Sequence, residues 1–106
     1  MFARNVSLHL KPNTMGEFTR VLDGEVLPLL RKQKGFRDEI VFAIPGEREI
    51  LAISFWDEKE NAEAYHTSAY TQVLNTLEKV LEGTPHVRNL EIVSSTVNKI
   101  AARAAA

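Results

Sequence analysis

Hydrophobic and polar positions change their spacing several times along this chain, and each change marks an element. In "FARNVSLHL" the residues alternate from Val6 onward, with Val6, Leu8 and Leu10 on one side and Asn5, Ser7 and His9 on the other. That period is the one a half-buried strand presents. "KPN" breaks the strand, and Thr14 then precedes Glu17 at the spacing of a capping box. Met15, Phe18, Val21, Leu22, Val26, Leu29 and Leu30 follow at helical steps, predicting a helix that ends near "KQKG" with Gly35 as its left-handed stop. Pro28 interrupts this stripe. Its ring presses toward the carbonyl of Gly24, so the pattern predicts either a kinked, continuous helix or one that ends near Leu27.

"FRDEIVFA", the turn "IPGERE" and "ILAISFW" read as an antiparallel hairpin. Asp57 with Glu60 opens a second helical region, whose stripe is Ala62, Tyr65, Ala69, Val73, Leu77 and Val80. A break is expected near "HTS", where Thr67 or Ser68 would cap a second segment. Gly83 and Pro85 close the region, and "VRNLEIVSSTV" supplies a last strand. The order β-α-β-β-α-β predicts an α+β, ferredoxin-like sandwich: a four-stranded antiparallel sheet with helices on one face. Residues 1–100 form one domain in this reading, and 101–106 a C-terminal tail.

Such a layout leaves one sheet face bare. "ILAIS" is apolar on both faces, so a partner is expected to cover it, and the economical partner is a second copy across a twofold axis. Placing Val6, Leu8 and Leu10 in that homodimer interface turns Asn5, Ser7 and His9 toward the helices. Ala52, Ser54 and Trp56 share one face of the third strand and would wall a hollow there, with Tyr65 and His66 closing it from the helical side. Two readings stand for the rings. Trp56 either stacks on a ligand or packs the strand end, and His66 either works in a pocket or bonds backbone at a helix break.

Composition narrows the chemistry. The chain has 13 basic and 14 acidic residues, a net charge of -1, so it lacks the positive excess that nucleic acid or an anionic membrane surface requires. With no cysteine, disulfides, thiolate catalysis and cysteine-held metals are excluded. The N-terminal residues do not form a signal peptide's apolar block, and no run approaches membrane-spanning length, so a cytoplasmic location is expected. Asp57, Glu58 and Glu60 read as a charged helix start rather than a metal site. No nucleophile-elbow context surrounds Ser54.

The layout, together with "SFWDEKENAEAYHTSAY", resembles the antibiotic-biosynthesis-monooxygenase family of dimeric α+β barrels over roughly residues 2 to 98. The resemblance implies a pocket between sheet and helices. The family it resembles includes cofactor-free oxygenases that convert phenolic or polycyclic aromatic substrates to quinones, haem-degrading enzymes, and many proteins of unknown activity. Asn5 falls where the haem-degrading branch places a first-strand asparagine. That branch's helical tryptophan and axial histidine correspond here to Tyr65 and Asn75, and an asparagine cannot replace imidazole on iron. The reading that follows needs no cofactor and no metal. His66 is the catalytic base, because its ordinary pKa lies near neutrality, and Asn5 steadies the oxyanion. Trp56, Tyr65, Ser54 and Ser7 bind a small aromatic substrate. The alternative is a non-catalytic dimeric ligand-binding or stress-related module of the same fold.

Overall fold

The computed structural model describes residues 1–97; the expected tail at 101–106 lies outside them. Four strands, β1 (Phe2–His9), β2 (Phe36–Ala43), β3 (Glu49–Trp56) and β4 (His86–Glu91), form one antiparallel sheet in the order β2-β3-β1-β4. Helices α1 (Met15–Val21) and α2 (Leu27–Arg31) precede the hairpin, and α3 (Lys59–Ser68) and α4 (Tyr70–Leu77) follow it. All pack on one face of the sheet around Phe18, Leu22, Val26, Leu30, Tyr65, Val73 and Leu77. The α+β, ferredoxin-like layout is therefore as the pattern predicts. β4 stops at Glu91, short of the expected Val97.

Pro28 does not end the first helical region. Residues Leu22–Val26 wind as a single π-turn between α1 and α2, and the Leu27 N–H reaches back to the Leu22 carbonyl. A widened turn just ahead of the proline preserves continuity where the ordinary ladder would lose a donor. Thr14 does not form the expected capping box: its hydroxyl donates to the Lys11 carbonyl at 2.7 Å. The box occurs at α3 instead, where Glu58 is the N-cap and its N–H donates to Asn61 Oδ1 at 3.1 Å. Asp57, expected to start that helix, pairs with Arg37. Gly35 holds φ +80, and a Cβ there would lie 2.2 Å from the Asn61 side chain, so both conformation and space demand glycine.

Ala69 (φ -131, ψ -16) breaks the second region into α3 and α4 as expected near "HTS". Neither Thr67 nor Ser68 caps α4. Their hydroxyls donate to the Glu63 and Ala64 carbonyls one turn back, the bond that hydroxyl side chains commonly make inside a helix.

The faces of β1 are the reverse of those expected. Leu8 and Leu10 are buried in the sheet–helix core with Val6 against it, while His9 is exposed and Asn5 and Ser7 lie on the other face. Cross-strand pairing fixes this assignment: Val6 opposes Ala52 and Leu8 opposes Ile50, whereas Asn5 opposes Ile53 and Ser7 opposes Leu51. The reason is energetic. The helices cover this sheet face, so the most continuous apolar set, Phe2, Val6, Leu8 and Leu10, gains most there.

The bare face is nonetheless apolar. Ile40 and Phe42 are 46% exposed and Leu90 37%, and Leu51, Ile53 and Phe55 are half-buried beside them.

Candidate functional site

A row of polar side chains crosses the helix-facing side of the sheet. Glu39 on β2 opposes Ser54 on β3, which opposes Arg4 on β1. Strands lie about 4.8 Å apart, so the Glu39 and Arg4 backbones stand about 10 Å from one another. A bulge places Glu39 in the row. Phe36 pairs with Trp56 but Asp38 pairs with Phe55, so Arg37 is the extra residue and the alternation shifts by one. Glu39 and Val41 thereby turn to the helices, and Asp38, Ile40 and Phe42 turn away.

Trp56 has no exposure, and its Nε1–H donates to Ser54 Oγ at 2.9 Å. Its ring stacks on Tyr65 at 5.2 Å and meets Phe36 edge-on at 5.4 Å. Tyr65 meets Tyr70 at 6.2 Å, and Tyr70 stacks on His66 at 5.1 Å. The two rings singled out in the sequence thus belong to one aromatic series, Trp56 in the core and His66 exposed. They do not share a cavity, because Tyr65 and Tyr70 stand between them. Trp56, Ser54 and Tyr65 are brought together as expected; Asn5 and Ser7, on the opposite sheet face, are not brought to them. The Asn5 Oδ1 atom is buried there without a hydrogen-bond partner.

Arg4 and Glu39 are the residues that the sequence reading missed. The Arg4 side chain is only 3% exposed, with its guanidinium carbon 4.5 Å from the Tyr70 ring centre and 5.5 Å from that of Tyr65. Its Nη2 is buried with no partner, as is Glu39 Oε2. Burial pushes the Glu39 carboxyl up to about 7. Burial likewise raises the Tyr65 and Tyr70 hydroxyls, with the Arg4 charge opposing it, and lowers Arg4.

Among the described residues, hollows adjoin this row on both sides and beneath it. An inner cavity of about 40 Å³ lies among Leu8, Leu22, Glu39, Tyr65, Tyr70 and Leu74, room for water rather than for an aromatic ring. A cleft of about 390 Å³ opens between α2 and β2, and Glu39 borders both it and the cavity. A second cleft of about 390 Å³ lies between α3 and β4, lined by Arg4, Ala62, His66, Thr67, Val87 and Asn89, with Glu63 at its rim. Both clefts fall in the size range of small-molecule sites, about 300–1,000 Å³. Among the described residues no group of three or more His, Cys, Asp or Glu could hold a metal ion, and no helix is long and apolar enough to cross a membrane.

The fold has close counterparts among solved structures. A monooxygenase from the gene ActVA-Orf6 of Streptomyces coelicolor, in complex with nanaomycin D, superposes with a TM-score of 0.76 at 15% identity, covering 91% of this chain and 90% of that one. This chain has the antibiotic-biosynthesis-monooxygenase fold. A putative antibiotic biosynthesis monooxygenase from Bordetella bronchiseptica gives a TM-score of 0.74 at 13% identity, over 87% of this chain and 96% of that one. A mutant of MhuD with two manganese protoporphyrin IX molecules per active site gives 0.75 at 12% identity, over 91% and 98%. No protein-family model and no curated protein matches the sequence. Asn75, at the position matched in sequence to the haem branch's axial histidine, is exposed on α4.

Proposed function

We propose that this chain is a homodimeric monooxygenase-like protein that oxidises a small phenolic substrate without a cofactor, in the cleft between α3 and β4. The observation that carries the reading is the meeting of His66 and Arg4 at one ligand-sized cleft, both against the Tyr70 ring. His66 accepts the phenolic proton. The resulting anion passes an electron to dioxygen, the radical pair combines to a ring peroxide, and His66 returns its proton to the distal oxygen. Loss of the ring C–H proton with O–O cleavage releases water and leaves a quinone carbonyl, so one oxygen atom enters the product and one leaves as water. The buried Arg4 charge stabilises the anion on which this sequence depends. Oxygen-electrode traces with dihydroxynaphthalenes and anthrones, run with a chelator present, test the reading: uptake supports it and saturable binding without uptake opposes it.

The dimer in this reading is formed by the bare sheet face, through Ile40, Phe42, Leu51, Ile53, Phe55 and Leu90. A contiguous patch of that kind is rarely left to water by a monomer.

A second reading, a dimeric small-ligand-binding or stress-related module, is favoured by the exposure of His66. A base open to bulk water forgoes the desolvation that most oxygenation pockets exploit.

A further inference from the structure

Arg4 is a cation buried without an anion. At 3% exposure its guanidinium has given up water, yet none of its nitrogens is within salt-bridge distance of a carboxylate among the described residues, and Nη2 has no acceptor. The Tyr70 and Tyr65 ring faces offset part of the desolvation as cation–π partners, and the Tyr70 hydroxyl lies within side-chain hydrogen-bonding reach of the guanidinium, but neither neutral phenol balances its charge. Glu39 stands two strands away, and Glu63, at the rim of the same cleft, pairs with Lys59 at 3.7 Å. Buried charges in proteins are ordinarily paired. Arg4 borders one ligand-sized cleft among the described residues, the one it shares with His66, Thr67 and Asn89.

We propose that Arg4 forms an anion subsite in that cleft, and that the protein's ligands are one- or two-ring aromatic carboxylates. This rests on the proposed placement of the ligand between α3 and β4 and names its chemical class. The planar guanidinium fork matches a carboxylate. Charge balance selects a monoanion. Glu63 at the rim is paired with Lys59, which leaves the single positive charge of Arg4 to be matched by one negative charge, and a phosphate dianion would bring one in excess. Ala62 and Val87 offer apolar walls for the ring, and Thr67 and Asn89 can meet a ring hydroxyl.

The test is binding under nitrogen, by calorimetry, of naphthoate against its neutral near-isostere naphthamide. Naphthoate should bind at least about tenfold more tightly, the scale of a charge-assisted hydrogen-bonded pair, and Arg4→Gln should erase the difference. Because Arg4 is buried and its replacement can affect folding, Thr67→Trp, at an exposed α3 position, provides an independent arm: it fills the cleft and should abolish naphthoate binding while leaving the circular-dichroism spectrum unchanged. Equal affinity for acid and amide overturns the proposal, as does a naphthoate preference that survives Thr67→Trp. Because no oxygen is present, failure here counts against the subsite alone, and failed oxygen uptake with intact naphthoate binding counts against the monooxygenase reading alone.

Discussion

The indole of Trp56 and the hydroxyl of Ser54, two residues apart on β3, are joined by a 2.9 Å hydrogen bond beneath the helices. Ser54 Oγ also lies 3.4 Å from the Arg4 carbonyl, to which it donates, so one small side chain ties the largest core ring to the neighbouring strand. Ser54→Ala leaves the Trp56 N–H buried and unpaired, which costs about 1–3 kcal/mol. Urea titration should show that loss in midpoint with an unchanged slope. Tryptophan emission should stay blue-shifted and unquenched by iodide, as expected of a ring with no exposure; ready quenching would mean Trp56 lines an open pocket after all.

Glu39 makes stability depend on pH in an unusual direction. Its carboxyl is raised by burial from 4.5 to about 7, so the folded chain binds this proton more tightly than the unfolded chain does. The stability gained is fully present below the unfolded value and is lost as pH rises through about 7. With about 1.4 kcal/mol for each tenfold change in proton affinity, and a discount for the partly exposed side chain, the loss is on the order of 2 kcal/mol. Glu39→Gln should therefore be more stable than the parent at pH 8 and similar to it at pH 4, as read by thermal melts across that range.

The bare sheet face predicts assembly. Light scattering should give about twice the chain mass of 11.9 kDa. Phe42→Glu should yield a folded monomer, because the charge would be unpaired in a dry interface. Leu8→Glu, in the sheet–helix core, should instead unfold the chain. A dimer that survives Phe42→Glu but separates on Leu8→Glu would restore the original assignment of the β1 faces.

Haem should find no axial ligand at Asn75. Titration with haem should give no stoichiometric Soret shift, and adding a reductant should give no bilin-like product. A shift lost in His66→Ala would show that iron has taken another histidine.

Alternation and helical spacing made the layout legible: element order, the hairpin, the broken second helix and the ferredoxin-like sheet can all be read from "VSLHL", "ILAISFW" and the Phe18–Leu30 stripe. The candidate site was less accessible, for two physical reasons. Glu39 faces the helices only because Arg37 is bulged out of β2, and a one-residue slip reverses every later side chain. Strict alternation from Phe36 puts Glu39 outside. Arg4 did leave a signal. It is the one charged residue in the set Phe2, Arg4, Val6, Leu8, Leu10, and an isolated charge within an apolar face is a buried charge in need of a partner. Assigning the apolar set to the dimer face hides that signal.

Oxygen uptake by His66→Ala tests the proposed reaction most directly. With a dihydroxynaphthalene substrate and a chelator present, the parent should consume one dioxygen per quinone formed. Loss of the base should slow turnover by about 10²- to 10⁴-fold. Because His66 is exposed on α3, its melting temperature should move little. Uptake that is unchanged in His66→Ala, or absent from the parent with every phenol tried, would contradict the account.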